Sequence, residues 1–136
     1  MSVLDASVIL KWFIEENYSD KARKIQDDYL AGKINLIVPD LLLYEVSNAL
    51  RFNRSFSESD IEQVLDSLSE LRLDVFPVNY ELAKSAVKIS YNFKLTVYDA
   101  IYVSLAIETK SDFITADKEM FEKLQKIPSV KWLGSY

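Results

Sequence analysis

The stretch Thr96 to Ile107, T-V-Y-D-A-I-Y-V-S-L-A-I, constrains the fold more than any other part of the chain. A helix that is apolar on nearly every side belongs in the interior of a protein. This one carries a carboxylate, Asp99, and an ionised group in such company is costly unless it is paired, hydrogen bonded or bound to a metal. A local explanation exists, with Thr96 as N-cap and Asp99 closing a capping box at the positive end of the helix dipole. Whether it suffices depends on what other carboxylates gather nearby.

The elements around this helix alternate. Ser2 to Leu4 reads as a short strand leading through Asp5-Ala6-Ser7 into one or two helical turns, Val8 to Phe13. Tyr18 to Ala31 follows as an amphipathic helix ending at Gly32, and Leu36 to Val38 is a second strand stopped by Pro39. Asp40 is expected to cap a helix reaching Phe52, with Leu42, Val46, Ala49 and Leu50 on its core face. Ser57 to Leu71 is a further helix, Leu73 to Val78 a strand and Tyr80 to Phe93 a helix. After the Thr96 helix come a strand at Asp112 to Thr115, a short helix at Lys118 to Leu124 and a last strand at Val130 to Leu133. Short apolar strands between helices predict a three-layer α/β/α domain, residues 1–136, on a mainly parallel five-stranded sheet. In such sheets a site normally lies beyond the carboxyl ends of the strands, where the strand order switches.

Composition narrows the chemistry. The 136 residues contain neither Cys nor His, which excludes disulfides, thiolate nucleophiles, Cys/His zinc sites, Ser-His-Asp triads and histidine acid–base pairs. Twenty-one acidic against sixteen basic residues, a net charge of −5, argue against a surface that binds nucleic acid through its overall charge, though not against a local basic rim. No apolar run is long enough to span a bilayer and no signal-peptide pattern is visible, so the expected location is the cytoplasm.

Four carboxylates, Asp5, Glu45, Asp99 and Asp117, each interrupt or end an apolar segment on a different element. Taken singly, Asp5 and Asp117 can be N-caps, and Glu45 a partner of Arg51 or Arg54. Taken together they create like-charge repulsion that must be relieved by protonation or by a bound cation. Oxygen donors without His or Cys favour Mg²⁺ or Mn²⁺, and such an ion is suited to phosphoryl chemistry.

The segments V-L-D-A-S, P-D-L-L-L-Y-E-V-S-N-A-L, L-T-V-Y-D-A-I-Y-V-S-L-A and F-I-T-A-D-K-E-M-F, in this order, resemble those of the PIN-domain ribonucleases, and among them the toxins of VapBC-type toxin–antitoxin pairs. The resemblance implies a metal-dependent endoribonuclease, with Asp5, Glu45, Asp99 and Asp117 holding one or two Mg²⁺ or Mn²⁺ ions. It makes Ser7, Asn48 and Thr115 orienting groups, for which local capping is the alternative. It further implies in-line attack of water on an RNA phosphodiester, a homodimer, and an antitoxin whose tail enters the acidic groove. Lys11, Arg51, Arg54, Lys94 and Lys118 flank the acidic motifs and are candidate contacts to the RNA backbone; Trp12, Phe13 and Tyr98 are candidates for stacking on bases or for the core.

Other readings share parts of this pattern. A housekeeping RNA-processing nuclease would show the same acids. Phosphoaspartyl proteins also place acids at strand ends, but the dehalogenase-like type wants D-x-D where this chain has Asp5-Ala6-Ser7, and receivers want paired acids before Asp5. A non-catalytic module for RNA or protein binding would not need all four carboxylates.

Overall fold

A computed structural model describes all residues, 1–136. The elements follow in the order β1 (Ser2–Leu4), α1 (Ala6–Ile9, continued by a 3₁₀ turn at Leu10–Trp12), α2 (Ser19–Leu30), β2 (Leu36–Pro39), α3 (Leu41–Arg51) and α4 (Glu58–Leu71). They continue as β3 (Asp74–Phe76), α5 (Tyr80–Phe93), α6 (Val97–Glu108), β4 (Asp112–Thr115), α7 (Lys118–Lys123) and β5 (Val130–Trp132), closed by a 3₁₀ turn at Leu133–Ser135. All five strands are parallel, in the order β3-β2-β1-β4-β5. The three-layer fold expected from the alternation is the fold observed. No helix is long and apolar enough to cross a membrane.

Strand side chains alternate between faces, and that alternation divides the core. Val3, Ile37, Phe113 and Val130 point to one side and meet α5, α6 and α7. Leu4, Leu36, Val38 and Ile114 point to the other and meet α1, α2, α3 and α4. The apolar α6 has seven consecutive buried residues, Ala100 to Ala106, and packs on α5 and across β1, β2 and β4. Within this layer the Tyr102 ring stacks on Phe113, their centroids 6.4 Å apart.

The local signals mostly act as expected. Gly32, at φ 73° just past α2, adopts the left-handed conformation that a helix ending of this kind demands. Ser57 and Asp60 complete a capping box on α4. Asp40 differs from expectation, because its side chain caps nothing in α3. Instead its carboxylate accepts from Val78 N at 3.2 Å while its own N–H donates to Phe76 O at 2.9 Å, tying the β2–α3 corner to the end of β3. Trp12 and Phe13 pack against the second core, and Trp12 Nε1 donates to Ala22 O at 2.8 Å. Both rings are partly buried against that core.

The order of the strands positions everything that follows. From central β1 the chain steps outward to β2 and β3, then returns to the opposite side of β1 to form β4 and β5. The order therefore reverses between β1 and β4, and the residues leaving these two strands face each other across that switch. Removal of core volume from α6 should be far costlier than removal at the surface. Leu105→Ala, at a fully buried position, is expected to lower the unfolding free energy by about 2–5 kcal/mol. Leu30→Ala, at a 63% exposed position, should change it by no more than about 0.5 kcal/mol; urea unfolding of both variants measures the contrast.

Candidate active site

Asp5 follows β1 directly, and its extended backbone makes it the N-cap of α1, with Oδ1 accepting from Val8 N at 3.3 Å. The side chain is buried at the switch point. Ser7 Oγ donates to Oδ1, and Thr115 Oγ1, from the end of β4, donates to Oδ2 at 2.6 Å. Each hydroxyl also receives a backbone N–H from the β4–α7 turn, Ser7 from Ala116 at 3.0 Å and Thr115 from Asp117 at 3.0 Å. Ser7 and Thr115 thus lock Asp5 to the neighbouring strand end.

Burial pushes the Asp5 carboxyl up to about 6, against the lowering effect of these hydrogen bonds; the Asp99 charge raises it further. No ion pair with Lys or Arg is made by Asp5, Glu45, Asp99 or Asp117. The buried charge has no fixed counterion.

Asp99 occupies the first turn of α6, where its backbone N–H donates to the Thr96 hydroxyl at 3.1 Å. Only this half of the expected capping box forms, the carboxylate accepting no backbone N–H from Thr96. Burial holds it above the usual aspartate range, the Thr96 hydroxyl lowers it, Asp117 raises it, and Lys123 lowers it. Asp117 is the N-cap of α7, accepting from Met120 N at 3.0 Å. It shares with Asp99 a cleft of about 180 Å³ that Lys94 and Lys123 also line.

Glu45 projects from α3 toward α6, and Tyr102 Oη donates to its Oε1 at 2.6 Å. Burial raises Glu45, the tyrosine hydroxyl lowers it, and Asp99 raises it. The pair replaces the ion pair with Arg51 or Arg54 considered from sequence. Asp99 is thus the electrostatic hub, felt by both Asp5 and Glu45 and itself raised by Asp117. Asp5, Glu45 and Asp117 are each coupled to Asp99, but no three of the four draw together into a ready-made ligand cluster.

The other candidates separate. Asn48 and Arg51 line, with Glu45 and the exposed Tyr98, a second cleft of about 700 Å³. Lys94 lines the Asp99 cleft. Lys11 is bound to Glu16 at 3.0 Å with little of its side chain exposed, and Lys118 Nζ lies 5.9 Å from the centre of the Trp132 ring. Arg54 is exposed beyond the end of α3. Sequence reasoning passed over two residues. Tyr102 lies in a helix that is apolar on nearly every side, and only its place one turn after Asp99, on the same face, marks it in the sequence; Lys123 has no local signal.

Comparison with known proteins gives a concordant result. A family model described as "PIN domain" matches residues 2–127. Ribonuclease VapC3 of Pyrobaculum aerophilum is 30% identical over 125 residues, covering 89% of this chain and 92% of that protein. A toxin–antitoxin complex from Klebsiella pneumoniae superposes with a TM-score of 0.73 at 16% identity, over 96% of each chain. VapC20 of Mycobacterium tuberculosis, described as a sarcin-ricin loop cleaving toxin, superposes with a TM-score of 0.68 at 12% identity, over 85% of this chain and 88% of that one.

Burial of Asp5 has a pH signature. Because its folded pKa is raised, it contributes stability that is fully present below about pH 4 and is lost as pH rises through about 6. A shift of about two units corresponds to roughly 3 kcal/mol. In EDTA, the difference in unfolding free energy between Asp5→Asn and the wild type should therefore move in favour of the variant by up to about 3 kcal/mol between pH 4 and pH 7.5. Chemical denaturation at both pH values measures it, and a pH-independent difference would show that Asp5 carries no burial penalty.

Proposed function

This chain belongs to the PIN-domain family, and from that premise we propose that it is a Mg²⁺- or Mn²⁺-dependent endoribonuclease, the toxin of a toxin–antitoxin pair. The observation that carries the proposal is a carboxylate, Asp5, buried at the sheet's switch point and coupled to Asp99, which is in turn coupled to Glu45 and Asp117, with none of the four paired with a cationic side chain. The donor set fits a hard divalent cation, being all oxygen and short of positive charge. Asp5, Glu45, Asp99 and Asp117 would hold one or two such ions. When bound, these would offset the charge of a phosphodiester and make a coordinated water more acidic.

The reaction is hydrolysis. A water oxygen bonds to phosphorus in line with the departing 3′ oxygen, giving a 5′-phosphate and a 3′-hydroxyl. The chain's own residues prepare the place for it. Ser7 and Thr115 each engage one oxygen of Asp5, fixing the carboxylate plane. Tyr102 orients Glu45 in the same way from α6. These donors hold the acids in place before substrate arrives, so the reaction does not have to bear the cost of ordering them. Lys94 and Lys123 supply positive charge beside the Asp99 cleft and can hold backbone phosphates without neutralising the acids by direct pairing.

Support for the toxin assignment comes from relatives that are VapC proteins or parts of toxin–antitoxin complexes. An antitoxin segment entering the acidic groove, and a homodimer, belong to the same proposal. Intact acids at all four positions favour catalysis over a purely binding role.

The purified protein should cleave labelled single-stranded or looped RNA with Mn²⁺ or Mg²⁺, and lose at least about a hundredfold in rate in EDTA or as Asp99→Asn. RNA cleavage by a preparation that ignores both changes would belong to a contaminant or to a metal-independent mechanism.

A further inference from the structure

Two large aromatic side chains stand outside the core in the cleft that Glu45 lines. Tyr44 on α3 is 72% exposed and Tyr98 on α6 is 62% exposed. Each immediately precedes a site carboxylate, Glu45 and Asp99, so that helix geometry swings each ring roughly 100° away from the acid it flanks. Both line the cleft of about 700 Å³ whose remaining walls are Leu41, Glu45, Ser47, Asn48 and Arg51. Neither hydroxyl is hydrogen bonded within the chain, in contrast to Tyr29, Tyr102 and Tyr136.

We propose that Tyr44 and Tyr98 form a stacking subsite for one unpaired nucleobase of the RNA, adjacent to the phosphodiester that is cut. This rests on the nuclease reading above and adds to it the way substrate is gripped. The cleft offers apolar contact almost solely through the tyrosine rings and Leu41, while its other walls are polar. Flat apolar faces with polar edges are what a nucleobase presents. Its ring face can lie on tyrosine, and its edge can meet the Asn48 amide and the Ser47 hydroxyl. An apolar peptide would leave those polar walls unsatisfied on desolvation. Continuity with Glu45, the one site acid that lines this cleft, sets the register: a base held there has its backbone beside Glu45, and Arg51, which lines the same cleft, is available to a phosphate. An unpaired base is required, since a base within a duplex has no free face.

The test uses the full chain with Mn²⁺ and a labelled single-stranded RNA whose cut position has been mapped with the wild type. Tyr44→Ala combined with Tyr98→Ala should raise KM by roughly five- to a hundredfold with little change in kcat, whereas Tyr44→Phe and Tyr98→Phe keep wild-type KM. In the wild type, an abasic substitution at one nucleotide next to the cut should cause a similar loss. That loss should vanish in the double alanine variant, because base and rings report one interaction. Wild-type kinetics in the alanine variants, or abasic and alanine losses that simply add, would overturn the subsite while leaving the nuclease reading intact. If the alanine variants instead cleave RNA normally and lose only inhibition by the antitoxin, the rings serve a protein partner and the proposal fails. A wild type that cuts no RNA at all removes the nuclease reading and the subsite with it.

Discussion

A carboxylate buried at the carboxyl edge of a parallel sheet, surrounded by hydroxyls and without a positive side chain, is the constraint on which the rest of this molecule depends. Asp5 occupies that position because β1 is central and ends one residue before it. Ser7 and Thr115 offset part of the cost of burial, and they do so while accepting N–H groups from the turn that presents Asp117. Two strand ends and two acids are thereby one hydrogen-bonded unit. Hydrogen bonds alone leave the carboxyl raised to about 6, so its charge at neutral pH calls for a compensating cation.

The apolar α6 extends this unit. Its burial against α5 and the sheet fixes where its first turn ends up, and that turn carries Asp99. The same helix directs Tyr102 at Glu45, so that α3 is joined to the acidic region by a bond between residues 57 apart in sequence. Positive charge is kept close but not in contact. Lys123 donates to the Lys94 carbonyl at 3.1 Å and lies 3.4 Å from Glu119, near enough to lower Asp99 without forming an ion pair with it. A negative centre with a basic edge suits a polyanionic substrate that must approach acids, provided that a cation joins the complex.

Much of this was legible in the sequence, for physical reasons that can be named. Alternation of short apolar strands and helices is a strong pattern, and it carries the parallel three-layer fold. Asp5 and Asp117 stand out because they end strands, Asp99 because its helix is otherwise apolar. The boundaries that shifted were small, β2 taking in Pro39 and β3 shrinking to Asp74–Phe76. What was hidden depends on tertiary geometry. Asp40 resembles an N-cap in sequence, yet its carboxylate is taken by Val78 across a loop junction. Tyr102 looks like packing until α3 is laid beside α6, and Lys11 looks like a free cation until Glu16 folds onto it. Periodicity and spacing describe one element at a time, and these pairings exist only between elements.

The most direct test of a cation at the acidic centre is anomalous scattering from a crystal of this protein equilibrated with Mn²⁺. The expected result is a peak within about 2.0–2.3 Å of carboxylate oxygens drawn from Asp5, Glu45, Asp99 and Asp117. Absence of any peak there at millimolar Mn²⁺, with Asp5 protonated or newly paired with a lysine, would contradict it.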